Sequence, residues 1–315
     1  MRALRWYGPG DLRIDEVPDP EPGPGDVLVQ VEVALTDGTD LKAFQRGHPV
    51  LLGESPSPFG HEFCGIEVAT GRRVVAANSA PCGSCTACAR SEEALCERLR
   101  PLLNGAYAEL LVVPERIARV NLLPVPAGLP SEVAALVEPL ACCLHGVEQA
   151  GLAGGDTVAV LGAGGIGLML CACVADAGAR PVVVGGRPER RALAGEFGAL
   201  PGDGACADVV IEATGSADGW RDAVALVRPG GTVVLFSGLP TGTEVPFDAF
   251  RLHYEQLTVR GVFHHTPRTV RAALAFLASG ARPWRRLITH EVGLEGVAAL
   301  FADPPRDYLK AAVRL

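Results

Sequence analysis

The sequence predicts an α/β protein in two parts. The first is a small β-barrel; the second is a parallel sheet with helices on both faces. Three observations carry this. Val27, Val29, Val31 and Val33 alternate with Leu28, Gln30 and Glu32, the period-two signature of a strand with one apolar face. From Thr157 onward, short apolar runs alternate with helical ones, the pattern of a covered parallel sheet. Between these regions the composition passes from Pro- and Gly-broken apolar runs to Ala-, Val- and Leu-rich stretches.

Taken in order, the strand at Val27–Val33 is followed by apolar runs at Gly71–Ala77 and Ala108–Pro114, with few helical signals among them. A small barrel accounts for that spacing. Thr157–Leu161 then reads as a buried strand and Gly165–Ala177 as a helix, followed by a strand at Pro181–Gly185 and a helix at Glu189–Phe197. Asp208–Glu212, Thr232–Phe236 and Thr258–Val262 are further strands. Val270, Leu274 and Leu277 recur at helical spacing after Pro267. Gly198–Ala207 is too short to hold both a strand and a helix, so the parallel sheet is expected to lack one strand–helix unit.

A chain of 315 residues has room for two domains. Hydrophobic residues make up 48% and charged residues 20%, a composition that suits a globular protein. The net charge of −8 repels phosphate backbones, which argues against a nucleic-acid partner. The start, MRALRWYGPG, lacks the apolar core of a secretory signal, so the cytoplasm is the expected location. The uncharged run Thr157–Ala175 is long enough to span a membrane, but its four glycines favour strand, turn and buried helix, and no membrane association is expected.

Ten cysteines in such a chain point to metal and core rather than to disulfides. Cys82, Cys85, Cys88 and Cys96 form C-x2-C-x2-C-x7-C, and four thiolates so close can enclose one ion as a structural zinc site. An iron–sulfur cluster also takes four cysteines. Chance clustering explains the set poorly, because the segment is polar and offers no core to fill.

Gly162–Gly167, GAGGIG, fits G-x-G-x-x-G between a strand and a helix, the context in which the motif binds dinucleotides. Gly162 permits the turn, Gly164 admits a pyrophosphate and Gly167 lets helix and strand pack. With Gly165 and Ile166 they form the candidate phosphate site. At the end of the next strand, where an NAD site holds an acid for the ribose 2′-hydroxyl, the chain reads VVVGGRPERR. With no carboxylate there and Arg187, Arg190 and Arg191 nearby, NADP is expected over NAD. The competing reading places Arg190 and Arg191 on a solvated helix face.

These motifs occur together with Asp37-Gly38-Thr39-Asp40, Gly60-His61-Glu62 and Glu138-Pro139-Leu140. In that combination the chain resembles the zinc-dependent medium-chain dehydrogenase/reductase family, in its polyol, sugar and threonine dehydrogenase branch. The resemblance implies a GroES-like β-barrel catalytic domain over 1–138, completed by 282–315. It also implies a Rossmann domain over 139–281, and assembly as a homodimer or homotetramer. It places a catalytic zinc on Asp37, His61 and Glu138, with Glu62 as an intermittent fourth ligand. Family members carry Cys where this chain has Asp37. A carboxylate there hardens the site, lowers zinc affinity and weakens selectivity against Mn²⁺ or Co²⁺. The other reading of Asp37 is a turn residue in a site that has lost its metal. Asp40 matches the carboxylate that orients the zinc histidine. Thr39 is the candidate start of a proton relay, and Lys42 either ends that relay or points to solvent. Thr214 matches a position bordering the cofactor, or caps a strand.

The expected activity is hydride transfer between a secondary alcohol, of polyol, sugar or cyclitol type, and NADP. Two alternatives are a zinc-independent reductase of enones or quinones and a non-catalytic NADP-binding protein with a structural zinc. Cys64, Cys142, Cys143, Cys171 and Cys173 read as core. His264 and His265, taken as strand neighbours, are expected to face opposite ways. Lys310 matches a position where relatives often carry a basic residue near the cofactor, but a surface lysine is the default expectation.

Overall fold

The computed structural model describes residues 1–315 and divides into two compact units, 1–141 with 266–315, and 142–265. In the first unit the strand Val27–Leu35 is the organising element. Val29, Val31 and Val33 are buried while Gln30 is exposed, as the alternation requires. It pairs antiparallel with Glu62–Glu67 on one side and with the C-terminal strand Lys310–Arg314 on the other. The seven-stranded sheet runs Ile288–Gly293, Lys310–Arg314, Val27–Leu35, Glu62–Glu67, Arg73–Ala76 and Leu122–Pro124, with Leu110–Val113 also paired to Val27–Leu35. A three-stranded sheet of Asp11–Glu16, Arg2–Gly8 and Ser57–Pro58 completes the unit's β-structure. Between them lies a core that includes Phe44, Phe59, Phe63, Tyr107 and Phe301.

Helices are more numerous here than the scarce signals suggest. Gly38–Arg46, Glu115–Asn121 and Val137–Ala150 all belong at least partly to this unit. The first is set by Asp37, whose Oδ1 accepts the Asp40 N–H at 2.7 Å and so caps the helix. The same residue therefore ends a strand connection and starts a helix.

In the second unit five parallel strands run in the order Arg180–Val184, Thr157–Leu161, Ala207–Glu212, Val227–Leu235, Thr258–Gly261. This is the doubly wound arrangement with one outer strand missing. Leu200 makes a lone parallel bridge to Val182 where that strand would lie. No helix is long and apolar enough to cross a membrane.

His264 and His265 do not lie on a strand. The last strand stops at Gly261, His264 has φ 66°, and the two imidazoles stack with centroids 3.9 Å apart. The expectation of opposite faces fails because the backbone bends there. Cys64, Cys143, Cys171 and Cys173 are buried as expected, and Cys142 is half-buried.

Candidate metal and cofactor sites

Antiparallel pairing places Leu35 opposite Glu62, so the end of one strand meets the start of the next. His61 and Glu62 enter the site from there, while Asp37 and Asp40 enter from the helix that follows Leu35. Donor atoms of Asp37, His61 and Glu62 lie within 4.8 Å of one another, and all three residues are buried. His61 Nε2 stands 3.9 Å from Asp37 Oδ2, a separation at which both can face one ion. Asp37 thus divides its work: Oδ1 caps the helix and Oδ2 points at the imidazole.

The other imidazole nitrogen is committed. His61 Nδ1–H donates to Asp40 Oδ1 at 3.0 Å, which fixes the tautomer and leaves Nε2 as the available donor. Asp40 Oδ2 in turn accepts from the Tyr107 hydroxyl at 2.5 Å, and the Leu35 carbonyl lies 3.1 Å from that hydroxyl. Tyr107 is wholly buried beside Gly60, which holds φ +88°. A Cβ on Gly60 would fall 2.5 Å from the Tyr107 ring, so only glycine allows the ring this close to the backbone preceding His61.

Glu62 is held differently. Both its oxygens lie on Lys310 Nζ, at 2.6 and 2.7 Å, and the ammonium also approaches the Thr36 carbonyl at 3.3 Å. Lys310 is 2% exposed, which corrects the surface placement expected from sequence. The C-terminal strand carries it inward, since Ala312 pairs with Leu35 and Lys310 sits two residues earlier. Thr36 is fixed in turn by the Tyr308 hydroxyl at 2.7 Å.

Glu138 stands outside the close triple but is buried; burial above all, with the charges of Asp37 and Glu138, pushes the Glu62 pKa well above its ordinary value although Lys310 opposes this, and Glu138 also adds to the rise at His61. Burial would lower the His61 pKa, yet Asp40 and then Asp37 carry it well above the ordinary value. Burial would raise the Asp37 pKa, but His61 and Lys310 bring it below the usual carboxylate value. Asp37, Asp40 and Glu62 are thus three buried carboxylates beside one ammonium and one imidazole. That imbalance calls for a cation, and a divalent ion fits the O and N donors present. Thr39 is half-buried, and its hydroxyl helps to hold the Asp37 pKa down; Lys42 is half-buried.

Replacing Tyr107 by Phe keeps the ring but removes the donor to Asp40. Metal affinity, measured by chelator competition, is expected to fall about 10–100-fold. Unchanged affinity would show that the hydroxyl does not support the imidazole.

The cysteine knuckle forms a second centre. The sulfurs of Cys82, Cys85, Cys88 and Cys96 lie within 4.8 Å of one another, and none is in a disulfide. Three of the separations are 4.0, 3.5 and 3.9 Å. A zinc tetrahedron with Zn–S bonds of about 2.3 Å has edges of about 3.8 Å. Backbone N–H groups of Cys82 and Arg98 donate to Cys96 Sγ at 3.2 and 3.4 Å. Hydrogen bonding, chiefly from the Ser84 N–H, lowers the Cys82 thiol pKa to about 6. The residues fit one zinc ion.

In the second unit the glycine loop joins the strand Thr157–Leu161 to the helix Gly165–Asp176. Gly164 caps the helix with no side-chain acceptor, and nothing lies within 4 Å of where its Cβ would stand, so the helix N-terminus is open to an anion. A Cβ on Gly167 would stand 1.8 Å from the Gly162 carbonyl oxygen, so helix and loop can pack only with glycine there. Ile166 is half-buried in the first turn. Gly186 packs against Ala163 of the loop, which puts Gly185–Arg187 beside the phosphate turn. Arg187 is exposed at the N-cap of the helix Pro188–Glu196, while Arg190 is half-buried and Arg191 donates to the Gly186 carbonyl at 2.8 Å. Thr214 also adjoins Gly162, but its hydroxyl is already engaged, with Glu212 Oε1 at 2.6 Å and Ser216 Oγ at 2.9 Å.

Comparison with known proteins agrees with both halves. Residues 23–127 match the family model of the alcohol dehydrogenase GroES-like domain, and residues 202–279 match that of the zinc-binding dehydrogenases. A D-altritol 5-dehydrogenase from Agrobacterium fabrum is 30% identical over 98% of this chain and 97% of its own length. An L-threonine 3-dehydrogenase from Mesorhizobium japonicum is 30% identical, covering 90% of this chain and 89% of its own. Among solved structures, a zinc-binding dehydrogenase from Sinorhizobium meliloti bound to NADP is 32% identical, with a TM-score of 0.88 over 100% of this chain and 99% of its own.

Proposed function

Because the chain belongs to the zinc-dependent medium-chain dehydrogenase/reductase family, and so is an alcohol dehydrogenase, we propose that it moves a hydride between a secondary alcohol of a polyol, sugar or cyclitol and NADP. The observation that carries the catalytic centre is the buried excess of carboxylate around one imidazole whose Nε2 is left free. Asp37, His61 and Glu138 are the residues that would hold the catalytic ion, and the four cysteines those that would hold a structural one. When bound, zinc supplies Lewis acidity toward the alcohol oxygen and NADP accepts the hydride.

The protein's own groups do the rest. Asp40 keeps the proton on Nδ1 of His61, and Tyr107 keeps Asp40 an acceptor. Oxidation of an alcohol releases one proton besides the hydride; in this reading Thr39 begins its path outward, and Lys42 either ends that path or points to solvent. Glu62 is held back by Lys310, so in this reading it is a reserve donor, free only when that pair opens. A polyhydroxy substrate is supported by relatives that act on altritol, erythritol and sorbitol.

The test is a polyol and sugar panel with NADP and NAD, followed at the absorbance of the reduced nicotinamide, together with metal analysis. Turnover with at least one polyol and two zinc ions per chain is the expected result. One zinc ion, with reduction of enones instead, would favour the zinc-independent reading. Because no acid occupies the ribose position and Arg187 flanks it, NADP is expected to bind more tightly than NAD. Arg187→Ala should narrow that gap by about tenfold, the scale of one charge-assisted phosphate contact. Equal affinities in the unaltered protein would defeat the preference.

A further inference from the structure

Glu212 is the one buried carboxylate of the second unit. It ends the strand Ala207–Glu212, where it pairs with Leu161 on one side and Leu235 on the other. From the strand Thr157–Leu161 the chain adds Arg180–Val184 on one side, then returns to add Ala207–Glu212 on the other. The connections therefore diverge between the strand ends at Leu161 and Glu212. In open parallel sheets ligands bind at such a crevice, outside the carboxyl ends of the strands.

A buried carboxylate is costly unless hydrogen bonds compensate it. Here all of them fall on one oxygen. Glu212 Oε1 accepts the Thr214 N–H at 2.6 Å, the Thr214 hydroxyl at 2.6 Å and the Gly215 N–H at 2.8 Å. Its Oε2 is buried and makes no hydrogen bond, so the side chain holds two successive residues of one turn and nothing else. The Thr214 hydroxyl gives its single proton to Glu212, so Ser216 is the donor in their 2.9 Å contact. Ser216 Oγ in turn accepts the Gly219 N–H at 3.0 Å and caps the helix Ala217–Leu226. A Cβ on Gly219 would overlap the Thr214 hydroxyl and stand 3.0 Å from Glu212 Oε1, so the helix closes on this cluster only with glycine there. The turn 213–216 is thus fastened from the strand by Glu212 and from the helix by Ser216. Its remaining side rests on the glycine loop. A Cβ on Gly162 would stand 3.2 Å from the Ala213 carbonyl and 3.3 Å from Thr214 Cγ2.

We propose that Glu212 is a positioning residue for the dinucleotide: it holds the turn 213–216 against Gly162 and so keeps the phosphate loop in its binding shape. This rests on the reading of the glycine loop as the dinucleotide site. Glu212 is 0% exposed and acts through the turn, not by touching the cofactor. The loop serves NADP and NAD alike, so Glu212 sets the affinity for both and leaves the preference between them to Arg187.

The test is titration of the full-length, metal-loaded protein with NADPH and NADH, followed by nicotinamide fluorescence, alongside melting temperature and metal content. Glu212→Leu removes the acceptor of all three bonds. It is expected to weaken both dinucleotides by about tenfold or more, with their ratio held within about twofold and metal content unchanged. Glu212→Gln keeps an oxygen for the same donors but buries an amide N–H2 where Oε2 has no partner. It should therefore melt lower than the unaltered protein and still recover most of the affinity, a separation that a merely structural role would not give. Gly219→Ala presses on the Thr214 hydroxyl from the helix side and should also weaken both dinucleotides; it carries the comparison if Glu212→Leu does not fold. The proposal is overturned if Glu212→Leu or Gly219→Ala binds as the unaltered protein does. It is also overturned if the loss falls on one cofactor alone, or if Glu212→Gln binds as poorly as Glu212→Leu. An unaltered protein that binds neither dinucleotide would remove the dinucleotide reading itself, and this inference with it.

Discussion

Asp37→Ala is expected to remove one metal ion per chain and to lower kcat/KM by at least about 10³-fold, the scale of losing several kcal/mol of Lewis-acid stabilisation. Two roles meet in this residue, and a second variant separates them. Oδ1 caps the helix Gly38–Arg46, while Oδ2 faces His61 Nε2. Alanine loses both, and the missing cap alone costs about 1 kcal/mol of stability. Asparagine keeps an oxygen that can accept the Asp40 N–H but lacks the anion. Asp37→Asn should therefore melt like the unaltered protein and still fail to hold the ion tightly. Metal content and melting temperature, read together, decide the matter. An Asp37→Ala protein with full metal and full turnover would reduce Asp37 to a helix cap.

Lys310→Met is expected to have the largest effect on stability. It leaves Glu62 buried without its counter-charge, and breaking one side of a buried ion pair costs about 3–5 kcal/mol. At about 2–4 °C per kcal/mol this is a fall of roughly 10 °C in Tm. Adding Glu62→Gln should recover much of the loss, because the stranded charge is then gone. The pH dependence has a definite sign. Burial pulls the Lys310 pKa down, but Glu62 and Asp37 more than offset this and leave it above the usual lysine value. On the lysine side, the pair's contribution is then fully present below the free lysine pKa of about 10.4 and fades as pH rises through the higher folded value. The stability gap between the unaltered protein and Lys310→Met should thus close in strong alkali, and also toward acid as Glu62 takes up its proton. A Lys310→Met protein of unchanged stability would rule out a charged pair.

Much of the architecture is local information. The valine alternation placed the strand beginning at Val27, and the glycine motif fell between a strand and a helix as its spacing demands. The short Gly198–Ala207 connection already implied the missing strand of the parallel sheet. The helix Gly38–Arg46 was less legible, although its cap, Asp37, stood in plain view. An Asp before a helix serves equally as a cap or as a metal ligand, so the residue type alone does not separate the two roles.

The sequence alone determined which chemistry is present: four thiolates in a short polar segment, a glycine turn before a helix, and an imidazole flanked by acids. These are patterns within a few dozen residues, where covalent spacing limits geometry. Only the tertiary structure decided which partner each group takes. Tyr107 reaches Asp40 across 67 residues, and Lys310 reaches Glu62 across 248. Nothing in the local sequence of either distinguishes it from an ordinary core tyrosine or a surface lysine. Strand pairing fixes these contacts, because laying the C-terminal strand beside Val27–Leu35 brings an ammonium to a carboxylate that the chain order keeps far apart.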